Sequence, residues 1–300
     1  MNTDIDSNVS TESEIRNVTS KTIIDLQEVF KIYKTESVEV VALRGLDLKV
    51  KEGELISIMG PSGCGKSTLL NMIGALDKPS AGKITIANTD LTSLEPDDAI
   101  EFRRKYVGFV FQFFNLVPTL TAVENVELPM RLVNLPLSEV KTRVKELLAL
   151  VGMEKRGHHR PDELSGGEQQ RIAIAAALAN DPPIILADEP TGELDSESGQ
   201  KILNLLKWLC HERGKTLVIV THDPRTAKIS DRSFKIEDGQ ITGEYTREMY
   251  ESGTGVRGTE DENSYRYKKM IETIADKKRK MENLLKEIID IEDDLIESWK

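Results

Sequence analysis

Two stretches of the sequence carry residue types that handle phosphate. Gly60-Pro61-Ser62-Gly63-Cys64-Gly65-Lys66-Ser67-Thr68 fits the pattern G-x-x-x-x-G-K-[ST]. Its glycines let backbone N–H groups curl around a polyanion without Cβ clashes, and a helix opening behind the loop adds partial positive charge. In this pattern Lys66 reaches the β- and γ-phosphates of a nucleoside triphosphate, the Ser67 hydroxyl ligates Mg2+, and Cys64 is a small filler. In "IILADEP", Asp188 and Glu189 follow an apolar run. A carboxylate at the carboxyl end of a buried strand suits the surroundings of Mg2+, and a second one beside it can polarise an attacking water. A third stretch, "LSGGEQQR" (164–171), offers a serine hydroxyl and glycine amides at a helix start. That is an anion site with no catalytic group of its own.

These groups need a rigid frame, and the patterning supplies one. "ELISIMG" is a continuous apolar strand ending in glycine, and "KSTLLNMIGAL" reads as a helix. Strand, glycine loop and helix in that order are the context that confirms a phosphate loop. Upstream, "IIDLQEVFKIY" and "VVALRGLDLKV" alternate as strands from Thr22 onward. Downstream, residues 96–106 predict a short charged helix and "VGFVFQ" a strand ending at Gln112. The spacing predicts helix from Asn115 to about Val151, with breaks at Pro118, Pro129 and Pro136. "EQQRIAIAAALAN" and "GQKILNLLKWLCHER" read as helices, "PIILADEP" and "TLVIVTHD" as strands, and "SFKIEDGQI" as a hairpin turning at Asp238-Gly239. Alternating helices and fully apolar strands argue for an α/β fold with a parallel sheet covered by helices.

The bulk numbers narrow the class. Three hundred residues, 39% of them apolar, suit one large domain with an appendage. A net charge of −11 argues against nucleic acid as a partner, since phosphate backbones want a basic surface. Cys64 and Cys210 sit in no CxxC motif and no Cys/His cluster, which fits a reducing cytosol. His158 and His159 lack partners at ligand spacing and read as surface residues. No apolar run approaches the ~20 residues that span a bilayer. Residues 1–21 are polar and acidic without a secretory h-region, and read as a disordered extension.

Five elements occur in order: the phosphate loop, Gln112, "LSGGEQQR", "IILADEP" and "VTHD" with His222. Together they resemble the nucleotide-binding domain of an ABC (ATP-binding cassette) ATPase, over roughly residues 22–247. The resemblance implies a P-loop NTPase with a RecA-like core, an antiparallel β subdomain and a helical subdomain at about 113–170. It implies ATP and Mg2+ as ligands. Gly60, Ser62, Gly63, Cys64, Gly65, Lys66, Ser67 and Thr68 would surround the phosphates, and Ser67, Gln112 and Asp188 the metal. Glu189 would be the general base, His222 would touch the γ-phosphate, and Asp195 would couple two sites. Tyr33 would stack on adenine, a core tyrosine being the rival reading. Two subunits pair head to tail in this family, so Ser165 and Gly167 would meet the γ-phosphate of ATP held by the other copy. Glu193 stands where Asn or a small residue is more usual.

Residues 31–82, "FQFFNLVPTLTAVENVELPM" and the region around "LSGGEQQR" resemble the branch of MacB, LolD and FtsE. These proteins serve macrolide export, lipoprotein release and cell division. That implies a partner permease with a large extracytoplasmic domain, and a place on the cytoplasmic face of the membrane through it. Phe113, Phe114 and Leu116 are candidates for the docking surface or for core. The alternative function is a soluble ABC ATPase of DNA repair or the ribosome. The interval from 66 to 164 is too short for a repair-type coiled-coil insert, and one cassette is fewer than ribosomal members carry. The composition shifts after about Glu248, giving a linker over 248–264 and a heptad-patterned tail over 265–300. Basic residues dominate 266–280 and acidic ones 281–300. Two tails could pair antiparallel, or one could lie on its own domain or on an anionic membrane surface.

Overall fold

The computed structural model describes residues 21–34 and 39–247, with Met249 and the backbone of Arg257–Gly258 beyond them. Residues 1–20 of the 1–21 extension, most of the 248–264 linker and the tail at 265–300 lie outside the described residues. Two compact units divide the chain, 1–256 and 257–300; of the second, only the two-residue strand Arg257–Gly258 is described.

The first unit holds two sheets. Strands β1 (Thr22–Lys34), β2 (Glu39–Lys51), β4 (Ala81–Ile86) and β5 (Thr89–Asp90) form an antiparallel sheet in the order β2-β1-β4-β5. Strands β3 (Leu55–Met59), β6 (Val107–Val110), β7 (Ile184–Asp188), β8 (Thr216–Thr221), β9 (Arg232–Glu237) and β10 (Gln240–Thr246) form the second, in the order β10-β9-β3-β8-β7-β6. Its five strands from β9 to β6 run parallel, and β10 returns antiparallel through Asp238-Gly239, as the hairpin pattern requires.

The parallel strands read as unbroken apolar runs because both of their faces are buried. Leu55, Ile185, Ala187, Leu217 and Ile219 face one core, shared with the helical layer. Ile56, Ile58, Ile184, Leu186, Val218 and Val220 face another, closed by the antiparallel sheet and the helix after the phosphate loop. Burial of each large aliphatic side chain is worth about 1.5–3 kcal/mol. The two cores therefore hold the parallel strands in place between them.

Seven α-helices are described: α1 (Lys66–Ile73), α2 (Pro96–Tyr106), α3 (Ala122–Arg131), α4 (Leu137–Leu150), α5 (Gly166–Ala177), α6 (Ser196–His211) and α7 (Pro224–Ile229). The 115–151 region departs from the sequence expectation. Residues 115–121 are not helical, and Pro129 lies inside α3 instead of breaking it. Pro129 sits in the last turn, so its missing N–H removes one bond, to the carbonyl of Asn125. A capping box of Thr121 with Glu124, and the buried side chains Val126 and Met130, outweigh that loss. Strand β6 also ends earlier than expected, which leaves Gln112 two residues beyond it in a turn.

Candidate nucleotide site

The phosphate loop leaves β3 at Gly60, where a Cβ would come within 2.2 Å of the Ile236 carbonyl and 2.7 Å of Cys64 Sγ. Glycine is therefore required there by packing. Gly63 and Gly65 take φ of +79° and +104°, in the left-handed region that other residues avoid. Gly65 caps α1 with no side-chain hydrogen bond, so the first-turn N–H groups of α1 are left to the loop's cavity. Lys66 Nζ donates to the carbonyls of Gly60 and Pro61 at 2.8 and 2.9 Å, which holds the ammonium over the loop. Cys64 is buried in the second core, as a filler would be.

The two acids end β7, beside the loop. Asp188 is hydrogen-bonded by Ser67. Burial, reinforced by the charge of Glu189, pushes its carboxyl above the usual range, against the pull of Ser67 and Lys66. Glu189 has φ of +47°, a costly conformation for a non-glycine residue. Its backbone N–H donates to the Val220 carbonyl at 2.9 Å, and its carboxylate accepts from Thr221 Oγ1 at 2.9 Å. His222 Nδ1 lies 3.0 Å from the same carboxylate. The Glu189 side chain is 14% exposed and that of His222 76%, so the carboxylate is held below while the imidazole reaches the mouth.

A cavity of about 550 Å3 brings together Gly60, Ser62, Gly63, Gly65, Lys66, Ser67, Thr68, Gln112, Asp188, Glu189 and His222. Tyr33, Cys64, Ser165, Gly167 and Asp195 do not line it. The Tyr33 hydroxyl donates to Asp77 at 3.1 Å and is also hydrogen-bonded to Thr68, while the residue stays 40% exposed. Ser165 caps α5 in a box with Glu168. Asp195 caps α6, accepting from the N–H groups of Glu197 and Ser198 at 2.9 Å. These two helix starts are packed together: a Cβ on Gly167 would lie 3.1 Å from Ser198 Cβ.

The sequence pattern misses two partners. Thr221 orients Glu189 and was legible only as part of "VTHD". Glu193 accepts from Gln112 Nε2 at 2.9 Å, and the Gln112 side chain covers Gly192. A carboxylate only accepts, so the amide nitrogen faces Glu193 and Oε1 is free for the cavity. Oxygen donors on Ser67, Gln112 and Asp188 suit a hard divalent cation such as Mg2+, which prefers oxygen ligands.

The family model "ABC transporter" matches residues 43–192. An uncharacterized ABC transporter ATP-binding protein of Thermotoga maritima is 52% identical over 223 residues, 74% of this chain and 95% of that protein. LolD, the lipoprotein-releasing system ATP-binding protein of Bacteroides fragilis, is 47% identical over 66% of this chain and 92% of its own. The macrolide export ATP-binding/permease protein MacB of Hyphomonas neptunium is 43% identical over 82% of this chain, which spans 37% of MacB. The dimeric post-hydrolysis structure of the ATP-binding cassette MJ0796 with ADP and Pi has a TM-score of 0.70 at 48% identity, covering 75% of this chain and 98% of that one. The chain belongs to the ABC transporter family, as an ATP-binding subunit of the branch that includes MacB and LolD.

Proposed function

We propose that this chain hydrolyses ATP between two head-to-tail copies and so drives a membrane permease from the cytoplasmic face. The observation that carries the reading is a split. The phosphate loop, both acids and His222 share one cavity, whereas Ser165, Gly167 and Asp195 stand outside it on two adjoining helix starts. An anion site with no catalytic groups beside it is what a second copy's triphosphate needs. Relatives that export macrolides or release lipoproteins favour this over a soluble repair or ribosomal role.

Within one site, loop N–H groups and Lys66 offset phosphate charge as it builds on the leaving group. Ser67, Gln112 and Asp188 would hold Mg2+, which when bound neutralises phosphate oxygens and fixes their orientation. Glu189, kept in place by Thr221, accepts the proton of the attacking water. His222 shares a hydrogen bond with Glu189 and reaches the outer phosphate from the cavity mouth. Tyr33 presents a half-exposed ring that can stack on adenine.

Light scattering on wild type and Glu189→Gln, with and without ATP, tests the whole reading. The variant keeps the shape of the site but loses the base. It should bind ATP, hydrolyse it at least about a hundredfold more slowly, and accumulate as a dimer only with ATP. A variant that binds ATP and stays monomeric would remove the head-to-tail sandwich. One that hydrolyses at the wild-type rate would remove Glu189 as base.

A further inference from the structure

Opposite the nucleotide, at the amino ends of β3 and β9, three donors of different kinds converge. Cys210 and His211 close α6, and Asp231 immediately precedes β9. The sulfur, an imidazole nitrogen and a carboxylate oxygen all lie within 4.8 Å of one another. The sequence reading recognised no Cys/His cluster because the third donor is 20 residues away from its neighbours and is brought in by the sheet.

The carboxylate is already oriented. Asp231 Oδ2 accepts from the Leu55 N–H at 2.9 Å, and its own N–H donates to the Leu55 carbonyl at 2.8 Å. Oδ1 is left facing His211 Nε2 at 3.3 Å. Backbone support of this kind is what ligating carboxylates receive in metal sites. The Cys210 thiol is buried and donates to the Gly53 carbonyl at 3.1 Å. Burial, then the charges of Asp231 and Glu54, push it up to about 12. Two carboxylates beside a buried sulfur make a negative corner that favours a proton or a metal cation on that sulfur. The side chains of His211 and Asp231 are 23% and 37% exposed, which gives an ion a way in.

We propose that Cys210, His211 and Asp231 bind one Zn2+, with water as the fourth ligand, and tie the end of α6 to the starts of β3 and β9. Sulfur and imidazole donors select zinc over Mg2+ or Ca2+. A thiolate and a carboxylate together balance the charge of the dication, with the imidazole neutral. As the S–Zn bond forms, the thiol proton goes to solvent and the thiol's bond to the Gly53 carbonyl is given up. Because the ligands must shed protons to bind, affinity rises with pH. The alternative is a cluster that merely satisfies its own hydrogen bonds and binds no ion.

Competition with a chromophoric zinc chelator, on untagged full-length protein, decides between them. Wild type should take up one equivalent of Zn2+. Cys210→Ser and His211→Ala should each weaken that uptake at least about a hundredfold, the upper end of what losing even an outer-shell partner costs. Loading with Co2+ should give a thiolate-to-cobalt absorption band in wild type that Cys210→Ser lacks. Zinc at a hundred times its dissociation constant should raise Tm by about 5 °C or more. Absence of saturable uptake overturns the proposal, as does uptake that survives both substitutions. Should Cys210→Ser fail to fold, His211→Ala and the cobalt spectrum of wild type decide the question.

Discussion

Asp188 concentrates the conflict between stability and chemistry in a single side chain. Burial and the neighbouring Glu189 hold its carboxyl above the usual range, so its charge works against folding at neutral pH. A raised acid contributes stability only below its unfolded value of about 3.9, and loses it as pH rises through the folded value. Asp188→Asn keeps the shape and removes the charge. Without nucleotide, the variant should melt above wild type at pH 7 by about 2–4 °C, the shift that 1 kcal/mol produces in a domain of this size. The gap should close near pH 4, and calorimetry across that range checks it. A variant that melts below wild type at pH 7 would show that the Ser67 bond outweighs burial. Lys66, Asp188 and Glu189 were legible because their types and spacing state their chemistry. The Gln112–Glu193 bond was not: its partners are 81 positions apart, and a departure from family habit carries no direction in space.

At the scale of elements, the start of α5 is held by its own cap. Ser165 Oγ donates to Glu168 Oε2 at 2.9 Å, and the Ser165 N–H donates to the same oxygen at 2.9 Å. That backbone bond is the main reason the Glu168 carboxyl lies below the usual glutamate range, with Arg156 adding to it. A depressed acid contributes stability above its unfolded value, near 4.3, and loses it as pH falls through the folded value. Ser165→Ala removes the two Oγ bonds but leaves the backbone bond, so it should cost about 1 kcal/mol at pH 7, and somewhat less once Glu168 is protonated. Urea midpoints at both ends of that range measure the difference, and an equal loss at both would assign the cost to something other than the box. The sequence reading placed the Ser165 hydroxyl at a helix start but did not see its box with Glu168, nor the Thr121–Glu124 box that starts α3 at Ala122 and not at Asn115. The continuation of α3 through Pro129 was not legible either, because it depends on the burial of Val126 and Met130 against the helical layer, which local spacing does not state. Likewise, strand identity followed from apolar runs, whereas β6 ended early because the turn to Gln112 is set by the loop's own geometry.

At the scale of the whole molecule, ATP-driven closure does work only if something outside the dimer is gripped. Phe113 is 69% exposed, directly after Gln112, and Leu135 is 38% exposed on a groove of about 620 Å3 lined also by Phe102, Tyr106 and Arg143. Phe114 and Leu116, candidates with Phe113 for docking or for core, are half-buried, and Leu116 packs on the core beneath. Of that trio, then, Phe113 offers the most free apolar surface; it does not line the groove, so Phe113 and Leu135 are two separate candidate contact points for a partner. None of the described helices is long and apolar enough to cross a membrane; in the proposed function the element gripped is the permease. Phe113→Ala and Leu135→Arg should leave ATP-dependent dimerisation of the isolated subunit intact. Each should reduce co-purification with the permease by at least about fivefold, the equivalent of 1 kcal/mol of lost contact. Permease-stimulated hydrolysis should fall with it, while basal hydrolysis stays. If both variants co-purify normally, the force leaves this subunit by another face. If basal hydrolysis falls as well, the side chains belong to the site and not to the grip.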